Sequence, residues 1–347
     1  MSNHAATGDK IRGAIYIPAR AFNAYQMWRD YNRREIERDL GYAARLNLNA
    51  LRVWVSYEYW LERPEAFESA FDHFLQAAFE KGIRIMPSLF EKVGVEPTRE
   101  ALTDTNPLTA CCTFSPASEI FERPERHGEP KRFVDWFMDR YRDDGRLLAI
   151  ELMNEPVGIA RITFARAMLR AAAQRKGTVP LTVGCVGIED NIYFLDIGVD
   201  VLQHHDNFPN SAEQVEESIR KMLEISRILN KPCWITEWQR FRRSAVRGEG
   251  GSAPLLEGEW QPDYAPYARI LAKYPIGTFF WSLMLKPAYL PGQRRKGTLN
   301  GVFHEDGAVW SLEDARAISG NPDFQAEERR QWPEWAKIVA DTYLKVR

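Results

Sequence analysis

No stretch of this 347-residue chain approaches the roughly 20 consecutive apolar residues a membrane-spanning helix requires, which excludes that class. Neither sign of charge is in excess. Lys and Arg total 46 against 48 Asp and Glu, a formal net charge of −2, so no field would recruit nucleic acid or an anionic surface. Cysteine is scarce and unpatterned: Cys111, Cys112, Cys185 and Cys233 show no C-x-x-C spacing and read as reduced thiols rather than a disulfide framework. Residues 1–10 lack the apolar core of a signal peptide, so the expected location is the cytoplasm. What is present is ordinary: 45% apolar and 27% charged residues, enough for a soluble globule with a large core. The expected partner is small and uncharged, or charged only locally.

Short apolar runs alternate with helically spaced segments. Residues 13–18, 49–55, 83–90, 147–153, 181–186, 199–205, 232–238 and 276–281 read as strands. Helices are expected over 33–46, 66–80, 131–142, 163–175, 212–229, 264–273 and 335–344, their apolar residues spaced along one face. Alternation of this kind implies parallel pairing through right-handed crossovers. The expected fold is a (β/α)8 TIM barrel in one domain, 1–347, with long loops after strands 3, 7 and 8. A doubly wound sheet gives no reason for eight units. Residues 22–31, rich in aromatics, read as a loop walling a pocket, and 91–130 as an active-site wall. Residues 240–259, rich in glycine and arginine, read as a mobile loop over the site, and Asp306-Gly307 marks a hairpin within 301–310.

The fourth strand ends in Met153-Asn154-Glu155-Pro156, which delivers a carboxylate to the barrel face where such folds keep their chemistry. The seventh ends in Thr236-Glu237-Trp238 and delivers another. Singly, either glutamate is also compatible with a solvated loop position. Together they supply what glycosidic cleavage needs: one carboxyl holding a proton and one ionised. A separation of about 5–5.5 Å would mark a retaining enzyme and about 6.5–9.5 Å an inverting one.

Leu152-Met153-Asn154-Glu155-Pro156 and Trp234-Ile235-Thr236-Glu237-Trp238 resemble the acid/base and nucleophile motifs of glycoside hydrolase clan A, the group containing family 5. The resemblance spans residues 13–281 and implies a retaining β-glycosidase, with Glu155 as acid/base and Glu237 as nucleophile. It further implies that Asn154 hydrogen-bonds the sugar 2-hydroxyl, that Arg52 steers and charge-stabilises the nucleophile, and that Trp281 is a platform for a sugar face. His204 and His205 fall where the clan often has a histidine and a tyrosine, and His205 is the preferred partner for Glu237. The expected substrate-binding set is thus Arg52, Asn154, His204, His205, Trp238 and Trp281, with no cofactor and no metal.

Two departures stand out. The run His204-His205-Asp206-Asn207 lacks the clan's tyrosine, and Ser88-Leu89-Phe90-Glu91 lacks the histidine family 5 often carries on its third strand. Glu151, well down its strand, reads as a buried partner for a basic group. Arg240, Arg242, Arg243 and Arg247 read first as a solvated face and second as readers of an acidic sugar. Of the 11 tryptophans, Trp28, Trp54, Trp60, Trp238, Trp260 and Trp310 lie at or after strand ends, where flat rings can line a sugar pocket. The expected activity is hydrolysis of small β-linked oligosaccharides from the non-reducing end. The alternatives are a metal-dependent barrel using His204, His205, Asp206 and Glu237, and a carbohydrate-binding barrel without catalysis. Adjacent strand residues point to opposite faces, which weighs against both histidines binding one metal.

Overall fold

The computed structural model describes residues 10–242 and 260–344. Its frame is β1 (Arg12–Ile15), β2 (Ala50–Trp54), β3 (Arg84–Ser88), β4 (Ile150–Asn154), β5 (Leu181–Gly184), β6 (Leu202–Asp206), β7 (Cys233–Trp238) and β8 (Gly277–Phe280). Every strand pairs in parallel with its neighbours, in the order β5-β4-β3-β2-β1-β8-β7-β6. A parallel bridge between Thr182 and Val201 joins the two ends, and Thr182 Oγ1 donates to Val201 O at 2.8 Å. The chain therefore folds as a (β/α)8 barrel, with each of the eight strands at its expected place.

Side-chain alternation divides the interior into two layers. Along β2, Leu51 and Val53 join the main cluster between barrel and helices, whereas Ala50 and Trp54 join a smaller cluster inside the barrel with Ile15, Met86, Val201 and Phe279. Arg52 shares the inward parity of Ala50 and Trp54. The inner wall becomes polar at that level, where Arg52, Ser88, Glu151, Thr182, Gln203 and Thr236 are all buried.

The helices are α1 (Ala24–Arg29), α2 (Arg33–Arg45), α3 (Tyr57–Glu62), α4 (Pro64–Phe79), α5 (Arg99–Thr103), α6 (Ser118–Glu122) and α7 (Gly128–Tyr141). After these come α8 (Ile159–Gln174), α9 (Ala212–Leu229), α10 (Ala265–Leu271), α11 (Pro291–Arg294), α12 (Leu312–Ser319) and α13 (Lys337–Tyr343). Among the described residues no helix is long and apolar enough to cross a membrane. All four cysteines are buried and free.

The segment 22–31 corrects its reading as a loop. Asn23 caps α1 by accepting from Gln26 N, and Trp28 packs against Phe67, Phe71 and Phe74 of α4 while its Nε1 donates to Trp54 O at 2.8 Å. Aromatic density here signals helix packing. The turn between β5 and β6, patternless in sequence, is a 3-10 helix, Ile188–Ile197. Segment 91–130 holds α5 and α6 and is tied back by bridges from Glu91 to Ser115 and from Val95 to Thr113. The expected hairpin forms, with Phe303 bridging Val309 and Gly307 at φ 88° after Asp306. Most of segment 240–259 lies outside the described residues, including Arg243 and Arg247.

Gly13 of β1 makes room for the inner core, because a Cβ there would lie 2.2 Å from the ring of Phe279, which is fully buried. Gly13→Ala should therefore destabilise the barrel by about 1–3 kcal/mol through overpacking. Urea denaturation checks this, and an unchanged midpoint would contradict it.

Candidate active site

Arg52 lies at the centre of the barrel's carboxyl end with no solvent exposure. Its Nε and Nη2 donate to the two oxygens of Glu151 at 2.7 and 2.6 Å, Nη2 also donates to Asn154 Oδ1 at 2.6 Å, and Nη1 to Glu237 Oε1 at 2.7 Å. Burial alone would lower the guanidinium pKa, but the adjacent carboxylates, Glu151 foremost, raise it, so this charge is permanent. Glu151 is held from its other side by Gln203 Nε2 at 3.1 Å, and Gln203 in turn accepts from Thr236 Oγ1. Glycine is required at 184, since a Cβ would lie 2.8 Å from Glu151 Oε1 and 3.0 Å from Arg52 Nη2.

Strict alternation would not turn Asn154 or Glu237 inward together with their inward-facing neighbours. The register slips between Glu151 and Asn154 on β4, and between Ile235 and Trp238 on β7. Such irregularities re-aim side chains at sheet ends. Glu155 then adopts φ 45°, a conformation that side chains rarely take and that the surroundings must enforce. One carboxylate oxygen each of Glu155 and Glu237 and a ring nitrogen of His205 consequently lie within 4.8 Å of one another.

His205 Nδ1 lies 2.8 Å from Glu155 Oε1 and 3.7 Å from Glu237 Oε2. This corrects the expected partnership: the histidine serves Glu155, and Glu237 Oε2 instead accepts from Asn207 Nδ2 at 3.0 Å. It also changes the expected protonation. Burial would raise the Glu155 pKa, but the His205 hydrogen bond and charge outweigh it and hold the carboxyl below its ordinary range. Burial would lower the His205 pKa, but Glu237 and Glu155 raise it. In the free protein the shared proton therefore sits on the imidazole side of the pair.

The cavity between these groups has a volume of about 150 Å³ and is lined by Glu91, Asn154, Glu155, Asn207, Phe208, Glu237, Gln239 and Trp281, and by Ala288 to Leu290, Gln293 and Asn300 of the segment after β8. Trp281 stands where expected, its ring 5.3 Å from Tyr289 and 5.5 Å from Trp54. Arg52 reaches Glu237 and Asn154 from behind and does not line the cavity. Two members of the expected binding set face elsewhere. His204 points outward to Ser218 Oγ of α9, 3.1 Å away, and Trp238 packs on Tyr264, Tyr267 and Phe280 in the layer under α10. Arg240 is buried against Leu299 O and Asn300 Oδ1, not turned to the cavity. Asp206 accepts from the Tyr267 hydroxyl. The metal set His204, His205, Asp206 and Glu237 is therefore not assembled.

Three cavity residues carry no mark in the sequence. Asn207 adjoins the histidine pair and Gln239 follows Glu237 by two positions, with no motif to single out either. Glu91 stands at the end of the third strand's run, in the place notable only for its missing histidine. Its Oε1 accepts from Lys92 N and Val93 N, both at 2.6 Å, and Asn154 Nδ2 lies 3.1 and 3.0 Å from its two oxygens. Burial nevertheless pushes its pKa up to about 8.

Solved structures share this architecture. The exo-β-1,4-mannosidase Op5Man5 of Opitutaceae bacterium strain TAV5 superposes with a TM-score of 0.63 at 18% identity, over 90% of this chain and 58% of that one. This chain thus spans less than two thirds of that protein. A hyperthermostable endo-1,4-β-D-mannanase of Thermotoga petrophila RKU-1 gives 0.55 at 14% identity, over 98% of this chain and 100% of the other. GH5_18 of Streptomyces cattleya, solved with GlcNAc, gives 0.58 at 14%, over 93% and 83%. At such identities the likeness speaks for the fold alone. No protein-family model and no curated protein sequence matches the chain.

Burial raises the carboxyls of Asp39 and Glu58 to about 7 and that of Glu91 to about 8. An unfolded chain releases these protons near the ordinary values of 3.8 and 4.5, so between about 4.5 and 7 the folded state binds more protons and stability falls as pH rises. His204 and His304, lowered by burial, oppose this below 6.5 but are outnumbered, and Lys286, lowered to about 7, acts only above that value. His205, raised, holds its contribution in full below 6.5 and begins to lose it above, in the same sense as the carboxyls, and Glu155, lowered, loses its own only below the window. The unfolding free energy should therefore be larger at about pH 5 than at about pH 7, with a shallower fall in Glu91→Gln. Urea titrations at both pH values decide, and a rise between them would refute the assignment.

Proposed function

We propose that this protein is a retaining β-glycoside hydrolase of the clan A type, with Glu155 as acid/base and Glu237 as nucleophile. The observation that carries the reading is the approach of the two carboxylates: oxygens within 4.8 Å of each other at one small cavity, with a permanent guanidinium on the far side of Glu237. That approach favours direct attack over a mechanism that must seat a water between the groups at about 6.5–9.5 Å. Arg52 and Asn207 each donate to one oxygen of Glu237, which fixes its orientation. Trp281 offers the flat face, and Asn154 lies between Arg52 and the cavity, where a sugar 2-hydroxyl would meet it.

The size of the cavity supports exo action on short β-linked oligosaccharides. The cavity of about 150 Å³ is below the range of about 300–1,000 Å³ usual for drug-sized ligands and suits one sugar ring. The segment after β8 closes one wall of it. This reading carries with it a single catalytic domain acting on small fragments in the cytoplasm.

Glu155, His205 and Glu237 also form a set that could grip a divalent ion, but a guanidinium nitrogen already lies 2.7 Å from Glu237 and would repel one. Wild type should hydrolyse an aryl β-glycoside without added metal and in the presence of chelator. Glu237→Ala should lower kcat by about 10³-fold or more. Proton NMR of the first product should show the β-anomer. Inversion would overturn the double displacement, and full activity in Glu237→Ala would remove the nucleophile. No turnover by wild type of any aryl β-glycoside would favour a binding protein.

A further inference from the structure

The cavity wall carries three carboxylates, Glu91, Glu155 and Glu237, and among the described residues no lysine, arginine or histidine. Two of the three have counter-charges: Arg52 serves Glu237, and His205 serves Glu155. Glu91 makes no ion pair among the described residues: the ammonium of Lys92, which feels its charge, lies over the Phe114 ring instead. The partners of Glu91 are two backbone amides and the Asn154 amide, all neutral. Behind it lies a second chamber of about 30 Å³, walled by Glu91, Trp54, Tyr289 and Glu58 among others, and the carboxylate of Glu58 accepts from the hydroxyls of Ser115 and Ser56. An acidic sugar would find no basic side chain on this wall among the described residues.

The hydrogen-bond directions are fixed as well. An ionised Glu237 only accepts, so Asn207 must present Nδ2 to it and turn Oδ1 to Gln239. Gln239 therefore donates through Nε2 at 3.1 Å, and its Oε1 is an obligate acceptor, buried and without a partner among the described residues, in a cavity-lining residue that is only 7% exposed. Buried acceptors of this kind demand a donor. By the same logic Arg52 fixes Asn154 with Oδ1 inward and Nδ2 toward Glu91. Both amides are set by charges behind the wall, and the cavity is left asking for donors and positive charge.

We propose that Glu91 pairs with an amino group at C2 of the sugar, so that the site takes 2-amino-2-deoxy-β-glycosides. This inference rests on the glycosidase reading, in which Asn154 meets the substituent at C2. Glu91 touches that same amide, and so its carboxyl stands beside C2. The proton balance closes either way the amine arrives. An ammonium displaces the proton of Glu91 to solvent, and a neutral amine takes that proton for itself; both leave carboxylate against ammonium. The pairing also serves the chemistry, because a bare ammonium at C2 opposes the positive charge that develops at the anomeric carbon, and a carboxylate in contact offsets it.

Aryl 2-amino-2-deoxy-β-glycosides of the gluco, manno and galacto series are to be compared with their 2-hydroxy parents and N-acetyl counterparts. In at least one series the amine should exceed the parent in kcat/KM by about tenfold or more, and Glu91→Gln should bring that ratio to within about threefold of unity. Parents cleaved faster than amines in every series, with Glu237→Ala inactive, would overturn the amine pairing and leave the glycosidase standing; so would a ratio unmoved by Glu91→Gln. Faster cleavage of the N-acetyl sugars would also overturn it, while no turnover of any compound would sink both readings. Should Glu91→Gln fail to fold, calorimetric titration of wild type with the free amino sugars at about pH 6, in two buffers of different ionisation enthalpy, replaces it. Release of about one proton per sugar bound is expected, and binding without release refutes the pairing.

Discussion

A guanidinium with no access to water is the constraint from which the rest of this site follows. Isolated, the charge of Arg52 would be prohibitive inside a barrel, so Glu151 and Glu237 must reach it. Removing one partner from such a buried set costs about 3–5 kcal/mol, which ties the catalytic face to the stability of the fold. Gly184 leaves the space, Gln203, itself donating to Thr182 Oγ1, braces Glu151 from the far side, and the Trp54 ring lies over the guanidinium at 4.9 Å. From this charge the polarity of each neighbouring amide is dictated in turn: Asn154 directly, Asn207 through Glu237, and Gln239 through Asn207. The cavity's hydrogen-bonding character is therefore written behind its surface.

The strands show how regularity and exception share the work. Where alternation holds, as along β2, the barrel fills its interior and delivers Arg52 to the axis. Where it fails, at the register slips on β4 and β7, consecutive residues turn toward the cavity and Glu155 is held at φ 45°. A strained backbone at a single residue persists only when surrounding contacts over-determine it. Here the anchors are Glu155 N on Gly184 O at 2.8 Å and the His205 ring on the carboxylate.

Much of this is legible in the amino-acid sequence, because parallel strands buried on both faces read as nearly continuous apolar runs and the charges that interrupt them stand out. Arg52, Glu151, Glu155 and Glu237 all announce themselves in that way, and the depth of Glu151 in its strand marks it as a structural partner. The misplacements also have physical causes. Trp238 reads as a cavity residue because a strand end is normally the cavity face; the slip that turns Glu237 inward leaves Trp238 outside. Gln203 and His205 share a parity that sends His204 to the helices, yet a histidine pair carries no mark of which member faces in. Glu91 escapes notice because a resemblance directs attention to the residue it expects, and an absent histidine hides the carboxylate that follows. Asn207 and Gln239 matter only through what they touch, which spacing does not encode.

The proton on the Glu155–His205 pair links these pieces into one mechanism. Glu237 supplies the strongest attraction that raises the His205 pKa against burial, and the pair's hydrogen bond leads the causes that hold the Glu155 pKa down. In the proposed double displacement, Glu237 would lose its charge as it bonds to the anomeric carbon. His205 then loses its main support at the moment the leaving oxygen needs a proton, and burial, no longer opposed, favours the neutral imidazole. The proton is thereby driven through Glu155 toward the departing group, and Glu155 is left as the base the second step requires. Release of the sugar restores the charge on Glu237 and with it the affinity of His205 for a proton. On the proposed roles, a histidine 2.8 Å from Glu155 and 3.7 Å from Glu237 would couple the protonation of one carboxylate to the covalent state of the other.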